Sequence, residues 1–212
     1  MRIRITLSVS LLLLGMLFLS GCATTNIVTS WRDDSVKAGQ IKKPMVIAIV
    51  PKQIIRARLE DEFVLSLRGM GVEAVQSYKY FPELKGVSVD TIKAKVIELG
   101  NDSALVLRLV DTKNETAYVP GTTTYTGTSG YGGYGGYSSF NNYYSSNVTA
   151  VTTPGYSYDY KVYTLEGNIF AVQGEKRVWS AVIETEETSS VDAAVKEFAV
   201  IITKDIKSKN IF

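Results

Sequence analysis

Apolar and polar positions alternate in distinct rhythms along the chain. Pro44-Met45-Val46-Ile47-Ala48-Ile49-Val50 is apolar on both faces, as a central strand covered on two sides requires, and Pro51 ends it. From about Ile54 to Met70 the apolar residues Ile55, Leu59, Phe63, Leu67 and Met70 recur at spacings of four and three. That spacing predicts a helix with one buried stripe, mostly covered elsewhere by Arg56, Arg58, Glu60, Asp61, Glu62 and Arg68. Gly71 supplies the left-handed stop. Val72 to Ser77 reads as a short strand and Tyr78 to Pro82 as a loop. A second helix runs from Ser88 or Asp90 to Leu99, with Ile92, Val96 and Leu99 inward and Gly100 closing it. Ala104 to Asp111 is a third strand, apolar on both faces except at Arg108.

The pattern then changes. From about Tyr118 to Tyr156 the chain is rich in Tyr, Gly, Ser and Asn. Two long strands follow. Tyr156 to Val172 alternates, with a parity shift near Thr164 that predicts a bulge. Arg177 to Glu184 alternates again after a turn at Gly174. A last helix begins at a capping box, Ser189 with Asp192, and buries Val191, Ala194, Val195, Phe198, Ile201, Ile202 and Ile206. The expected fold is α/β (α+β), a single mixed five-stranded sheet in the order β-α-β-α-β-β-β-α. Strands separated by helices should be parallel and the last two antiparallel. A long Tyr/Gly-rich excursion, about 118–155, separates strands three and four.

The N-terminus has its own pattern. Met1-Arg2-Ile3-Arg4 is basic, Leu7 to Leu19 is apolar, and Ser20-Gly21 are small. These are the parts of a secretory signal. The apolar core of about 13 residues falls short of the roughly 20 that span a bilayer. Cys22, the only cysteine, follows directly. Leu19-Ser20-Gly21-Cys22 resembles the lipobox of bacterial lipoproteins, in which the thiol is acylated and the chain is cut between Gly21 and Cys22. The resemblance implies a signal peptide at 1–21, a covalent lipid (palmitate among its chains) on Cys22 and a membrane anchor. Ala23, in place of the Asp that retains enterobacterial lipoproteins at the inner membrane, implies the outer membrane, at its periplasmic face or the cell surface. Residues 22–43 read mostly as a tether, which fully extended reaches roughly 70 Å. Trp31 breaks that reading and is placed on the domain as an edge strand, with a membrane-interface role for the indole as the alternative. Residues 44–212 form one domain.

The order of elements resembles the α/β domain of the curli secretion-channel lipoprotein and of lipoproteins that activate penicillin-binding proteins. The text Arg58-Leu59-Glu60-Asp61-Glu62-Phe63-Val64, with Leu67, Gly71-Val72, Ala74 and Ser77-Tyr78, resembles a group of small bacterial lipoproteins without assigned activity. Neither resemblance implies a catalytic motif.

Charge and composition narrow the chemistry. The precursor has 23 basic and 21 acidic residues; losing Arg2 and Arg4 leaves 21 of each, so no nucleic-acid partner is inferred. The chain has no histidine, and its one thiol is assigned to the lipid. Ser-His-Asp and Cys-His catalysis are thereby excluded, with the commonest zinc ligands. Glu60-Asp61-Glu62 are consecutive and read as a solvated helix face paired with Arg56, Arg58 and Arg68. Glu184-Thr185-Glu186-Glu187 reads as a solvated turn rather than a calcium site. Gly132-Gly133 and Gly135-Gly136 lack the flanking strand, helix and Lys-Ser/Thr of a phosphate loop. No metal and no cofactor beyond the lipid is expected.

The Tyr/Gly stretch has three readings. It is a mobile linker, a contact surface for an envelope protein or glycan through Tyr131, Tyr134, Tyr137, Tyr143 and Tyr144, or a membrane-inserted hairpin. Residues 121 to 147 contain no Leu and no Ile, and no Val, which opposes the last. The expected function is a non-enzymatic, lipid-anchored binding or assembly component of the cell envelope. The alternatives are a subunit of an oligomeric secretion assembly and, less favoured, a carboxylate- or Ser/Lys-dependent enzyme.

Overall fold

The computed structural model describes residues 25–127, 148–187 and 190–212, with side chains undescribed at 125–127 and 148–150. The chain forms two compact units, Met1–Thr112 with Val162–Phe212, and Lys113–Lys161.

The first unit is built on a six-stranded mixed sheet. Its strands are β1 (Thr25–Arg32), β2 (Pro44–Ile49), β3 (Val75–Gln76), β4 (Ser103–Val119, in this unit up to Thr112), β7 (Tyr156–Ala171, in this unit from Val162) and β8 (Arg177–Glu186). Across the sheet the order is β1-β8-β7-β4-β2-β3. β2 is parallel to both β3 and β4, while β8 is antiparallel to β7 and β1. Three α-helices lie among the described residues: α1 (Gln53–Arg68), α2 (Val89–Glu98) and α3 (Val191–Ser208). As expected, α1 and α2 connect the parallel strands.

The two-sided apolarity of β2 has a direct cause. Val46 and Ala48 join a core with Leu59, Phe63 and Leu67 of α1 and Val195, Phe198 and Ile202 of α3. Met45 and Ile47 face the other way, onto Phe81 and Val96, with Ile92 of α2 and Leu99 just after it packed behind. Phe63 and Phe198 meet edge to face at 5.4 Å, locking α1 to α3. The Ser88 hydroxyl caps α2 by accepting from the Thr91 N–H. Gly71 and Gly100, at φ +83° and +67°, end α1 and α2. At each end the paired bonds (Val72 N–H to Leu67 O and Gly71 N–H to Arg68 O; Asn101 N–H to Val96 O and Gly100 N–H to Ile97 O) satisfy carbonyls of the last turn.

Several expectations need correction. The sheet has six strands, not five, because the segment read mostly as tether supplies β1. Its β-branched residues suit an edge strand despite their polarity. Ile27 packs against the core, the Thr25 and Thr185 hydroxyls bond at 2.7 Å, and Val36 and Ile41 further on are buried. β3 shrinks to two residues because Ser77–Lys79 turns into a 3-10 helix. The pairing of β7 with β8 is regular through Thr164, and the irregularity falls between Ile169 and Phe170. Val191, expected inside, is 56% exposed, and Ile201 is half-buried.

The second unit spans the Tyr/Gly-rich excursion expected at about 118–155 and the ends of the strands on either side of it. β5 (Thr122–Gly127) and β6 (Val148–Thr153) pair antiparallel, from Thr122 opposite Thr153 to Gly127 opposite Val148. Within this unit Thr116 donates to Asp159 at 2.7 Å and Tyr160 to Glu115 at 3.0 Å. Tyr156, Tyr158 and Tyr160 stand in a row with ring centroids 6.4 and 6.0 Å apart.

Candidate functional site

β2 runs out at Ile49, and Val50-Pro51-Lys52 turns the chain into α1. At this end of the first unit an apolar groove of about 370 Å³ opens between the sheet, α1 and α3. Its walls are Ile55 and Leu59 of α1 and Val191, Ala194, Val195 and Phe198 of α3. Leu109 and Leu165 form its floor, with Tyr163 beside them. Polar groups are confined to Lys52, Thr185, Glu186, Glu187 and the Tyr163 hydroxyl, which donates to Glu187 at 3.3 Å. The Thr185 hydroxyl is buried and committed to Thr25. Volume and lining match the usual ligand pocket, roughly 300–1,000 Å³ and mostly apolar. The groove can bury an apolar chain and address a polar end at its mouth.

Beside it, a buried polar network fixes α1. Arg56 and Glu60, only 2% and 0% exposed, pair at 2.9 Å one helical turn apart. Glu60 Oε1 also accepts from the Ala48 N–H at 3.0 Å and the Ser77 hydroxyl at 2.8 Å, and Oε2 accepts from the Tyr78 N–H at 2.7 Å. Arg56 also donates to Ser77 Oγ at 2.8 Å and Pro82 O at 3.2 Å. The network ties α1 to β2 and to the turn after β3.

This corrects the reading of Glu60-Asp61-Glu62 as one solvated face. Arg56 and Glu60 pair as expected, but inside. Arg58 pairs instead with Asp192 of α3 at 2.7 Å, and Arg68 donates to Ala74 O. Asp61 accepts from Gln76 at 3.0 Å and from the Tyr78 hydroxyl at 2.9 Å, and that bond raises the Tyr78 pKa. Trp31 lies in β1, 46% exposed, with the Arg177 guanidinium 5.7 Å from its ring centroid. Among the described residues no group of three or more His, Cys, Asp or Glu could hold a metal ion, and no helix is long and apolar enough to cross a membrane.

Gly21, Cys22, Tyr131, Tyr134, Tyr137, Tyr143, Tyr144 and the Ser189 of the capping box lie outside the described residues. The groove was missed for a different reason. Its residues are apolar at helical and strand spacing, and periodicity marks them as inward-facing without separating packed positions from groove walls.

No protein-family model matches the chain, and neither does any curated protein. Among solved structures it is similar to the PelC dodecamer from Paraburkholderia phytofirmans, at 10% identity over 81% of this chain and 89% of that one, with a TM-score of 0.43. It is similar to lipoprotein GNA1162 from Neisseria meningitidis, at 10% identity over 79% of this chain and 99% of that one, TM-score 0.43. A PDZ domain protein from Parabacteroides distasonis matches at 9% identity over 86% of this chain and 36% of that one, TM-score 0.34. At this distance neither a shared fold nor a shared role follows.

Proposed function

We propose that the chain is a non-enzymatic, lipid-anchored component of the bacterial cell envelope that binds or assembles with a partner. In this reading residues 1–21 are removed, Cys22 is acylated, and the domain lies on the periplasmic face of the outer membrane. The observation that carries it is the Leu19-Ser20-Gly21-Cys22 box, placed between an apolar signal segment and the first strand. Partner contacts fall to the tyrosines of the Tyr/Gly stretch, Tyr131, Tyr134, Tyr137, Tyr143 and Tyr144, whose rings offer apolar area at low entropic cost.

On this reading the link between lipid and domain is short. β1 begins at Thr25, three residues after Cys22. Three residues reach at most about 11 Å, so the anchor holds the first unit against the bilayer surface, not at the end of a long tether. The decisive experiment is Cys22→Ser with membrane fractionation. The wild type should appear as a processed, membrane-bound chain, and the variant as an unprocessed precursor of 23.3 kDa. A Cys22→Ser chain that is still cut and still partitions with membranes would sink the proposal.

A further inference from the structure

We propose that the apolar groove between α1 and α3 seats one of the acyl chains carried on Cys22 of the same molecule. The inference rests on the lipid-anchor reading. Its own ground is where the chain enters the fold. Thr25 opens β1 directly opposite Thr185, and the two buried hydroxyls bond at 2.7 Å. Thr185 is also a groove residue, followed on the rim by Glu186 and Glu187. β1 is antiparallel to β8, so it enters the sheet at the end where β8 runs into that rim. Cys22 is three residues earlier, within about 11 Å of Thr25 along the chain. An acyl chain attached there is delivered to the mouth of the groove without any rearrangement of the sheet.

The chemistry of the groove fits this occupant. An acyl chain needs an apolar trough with no demand for hydrogen bonds, and Ile55, Leu59, Leu109, Leu165, Val195 and Phe198 provide one. Its carbonyl end needs polar surroundings, and Lys52, Glu186 and Glu187 line the groove there. Sequestering one chain is compatible with anchoring. A single acyl chain binds a bilayer only marginally and two bind it stably; the resemblance to bacterial lipoproteins implies three chains on Cys22, so one can lie in the protein while two stay in the membrane.

The test uses the full mature chain from cells grown on a palmitic acid bearing a photoactivatable diazirine. After irradiation, the peptides joined to the Cys22 lipid are mapped by mass spectrometry. The expected result is crosslinks within one molecule to the segments bearing Ile55–Leu59 and Val191–Phe198. Ala194→Trp, which fills the groove from a half-buried position, should cut their yield at least tenfold; the wild-type map decides the question even if that variant folds poorly. Probe on Cys22 that crosslinks only to phospholipid, or only to a second copy or another protein, overturns the inference and leaves the anchor standing. Probe absent from Cys22 overturns the anchor reading, and this inference with it.

Discussion

Glu60→Gln is a demanding test of the first unit, because the change removes one charge and alters almost no volume. Glu60 accepts four hydrogen bonds, three on Oε1 and one on Oε2, at 2.7 to 3.0 Å. An amide has only one oxygen. Whichever way the introduced amide turns, its NH₂ faces either the Tyr78 N–H or the three donors from Ala48, Arg56 and Ser77. At least one of these donors is orphaned, at about 1–3 kcal/mol, and the Arg56 guanidinium loses the ionised partner of a bond worth about 1.5–3 kcal/mol. The sum agrees with the about 3–5 kcal/mol typical of breaking a buried ion pair. Against a usual domain stability of about 5–15 kcal/mol this is a large fraction. Arg56→Met should cost at least as much, because it leaves the buried Glu60 carboxylate without a counter-charge and takes a donor from Ser77 Oγ and Pro82 O. The double variant should lose less than the sum of the singles, since the partners share one network. Urea unfolding of the three variants, read as midpoint shifts at constant slope, measures all of this. A Glu60→Gln protein within about 1 kcal/mol of wild type would refute the buried network.

Phe63→Ala and Phe198→Ala should each cost about 3–5 kcal/mol, and a double-mutant cycle should return a coupling of about 0.5–1.5 kcal/mol for their edge-to-face contact; additive losses would refute it. The Asp33 carboxyl is held down at about 2, from an ordinary 3.8, by the Lys176 ammonium and by two bonds from Ser35. A depressed folded pKa gives stability that is present above the unfolded value and is lost as the pH falls towards the folded one. Asp33→Asn should therefore flatten the acid loss of stability across that window, and urea midpoints through the same range should show it. Replacing residues 128–147 with Asn-Gly should close β5 onto β6 with a two-residue turn, since Gly127 and Val148 already face each other. Shortening the loop about tenfold should stabilise the pairing by about 2 kcal/mol and abolish tyrosine-mediated envelope crosslinks. Crosslinks that survive would remove the partner role of the tyrosines.

Much of the first unit was legible in the sequence because burial there is periodic. The runs at Met45–Ile49 and Leu105–Leu109 and the helical stripes of α1, α2 and α3 are written in apolar residues. What escaped was structure made without aliphatic burial. The β5–β6 pair is made of threonine-rich strands whose signal is β-branching, and β-branching alone does not separate a strand from a polar linker; of β1, only the Trp31 end was legible as an edge strand. Arg56 and Glu60 escaped for the opposite reason. A charged pair four residues apart reads as a surface pair, and its burial depends on donors from Ala48, Ser77 and Tyr78 on other elements. The groove needs still more distant information, the separation of α1 and α3 above the sheet.

The N-terminal strand couples the fold to the proposed anchor. Without β1, β8 would present a bare edge, the surface that invites unwanted strand pairing. β1 covers it from Thr25 to Arg32, and the cover begins three residues from Cys22. A lipid there would have almost no slack, so force or motion at the bilayer would act directly on the β1–β8 pairing. That pairing is braced on its inner face by Ser30 donating to Asp205 of α3 at 3.1 Å, and Asp205 also accepts from the Trp179 indole N–H at 2.9 Å. The edge strand nearest the proposed anchor is thus fastened to the strand beside it and to the helix that forms one wall of the groove. On the proposed anchor, docking the lipid and completing the sheet are therefore mechanically coupled.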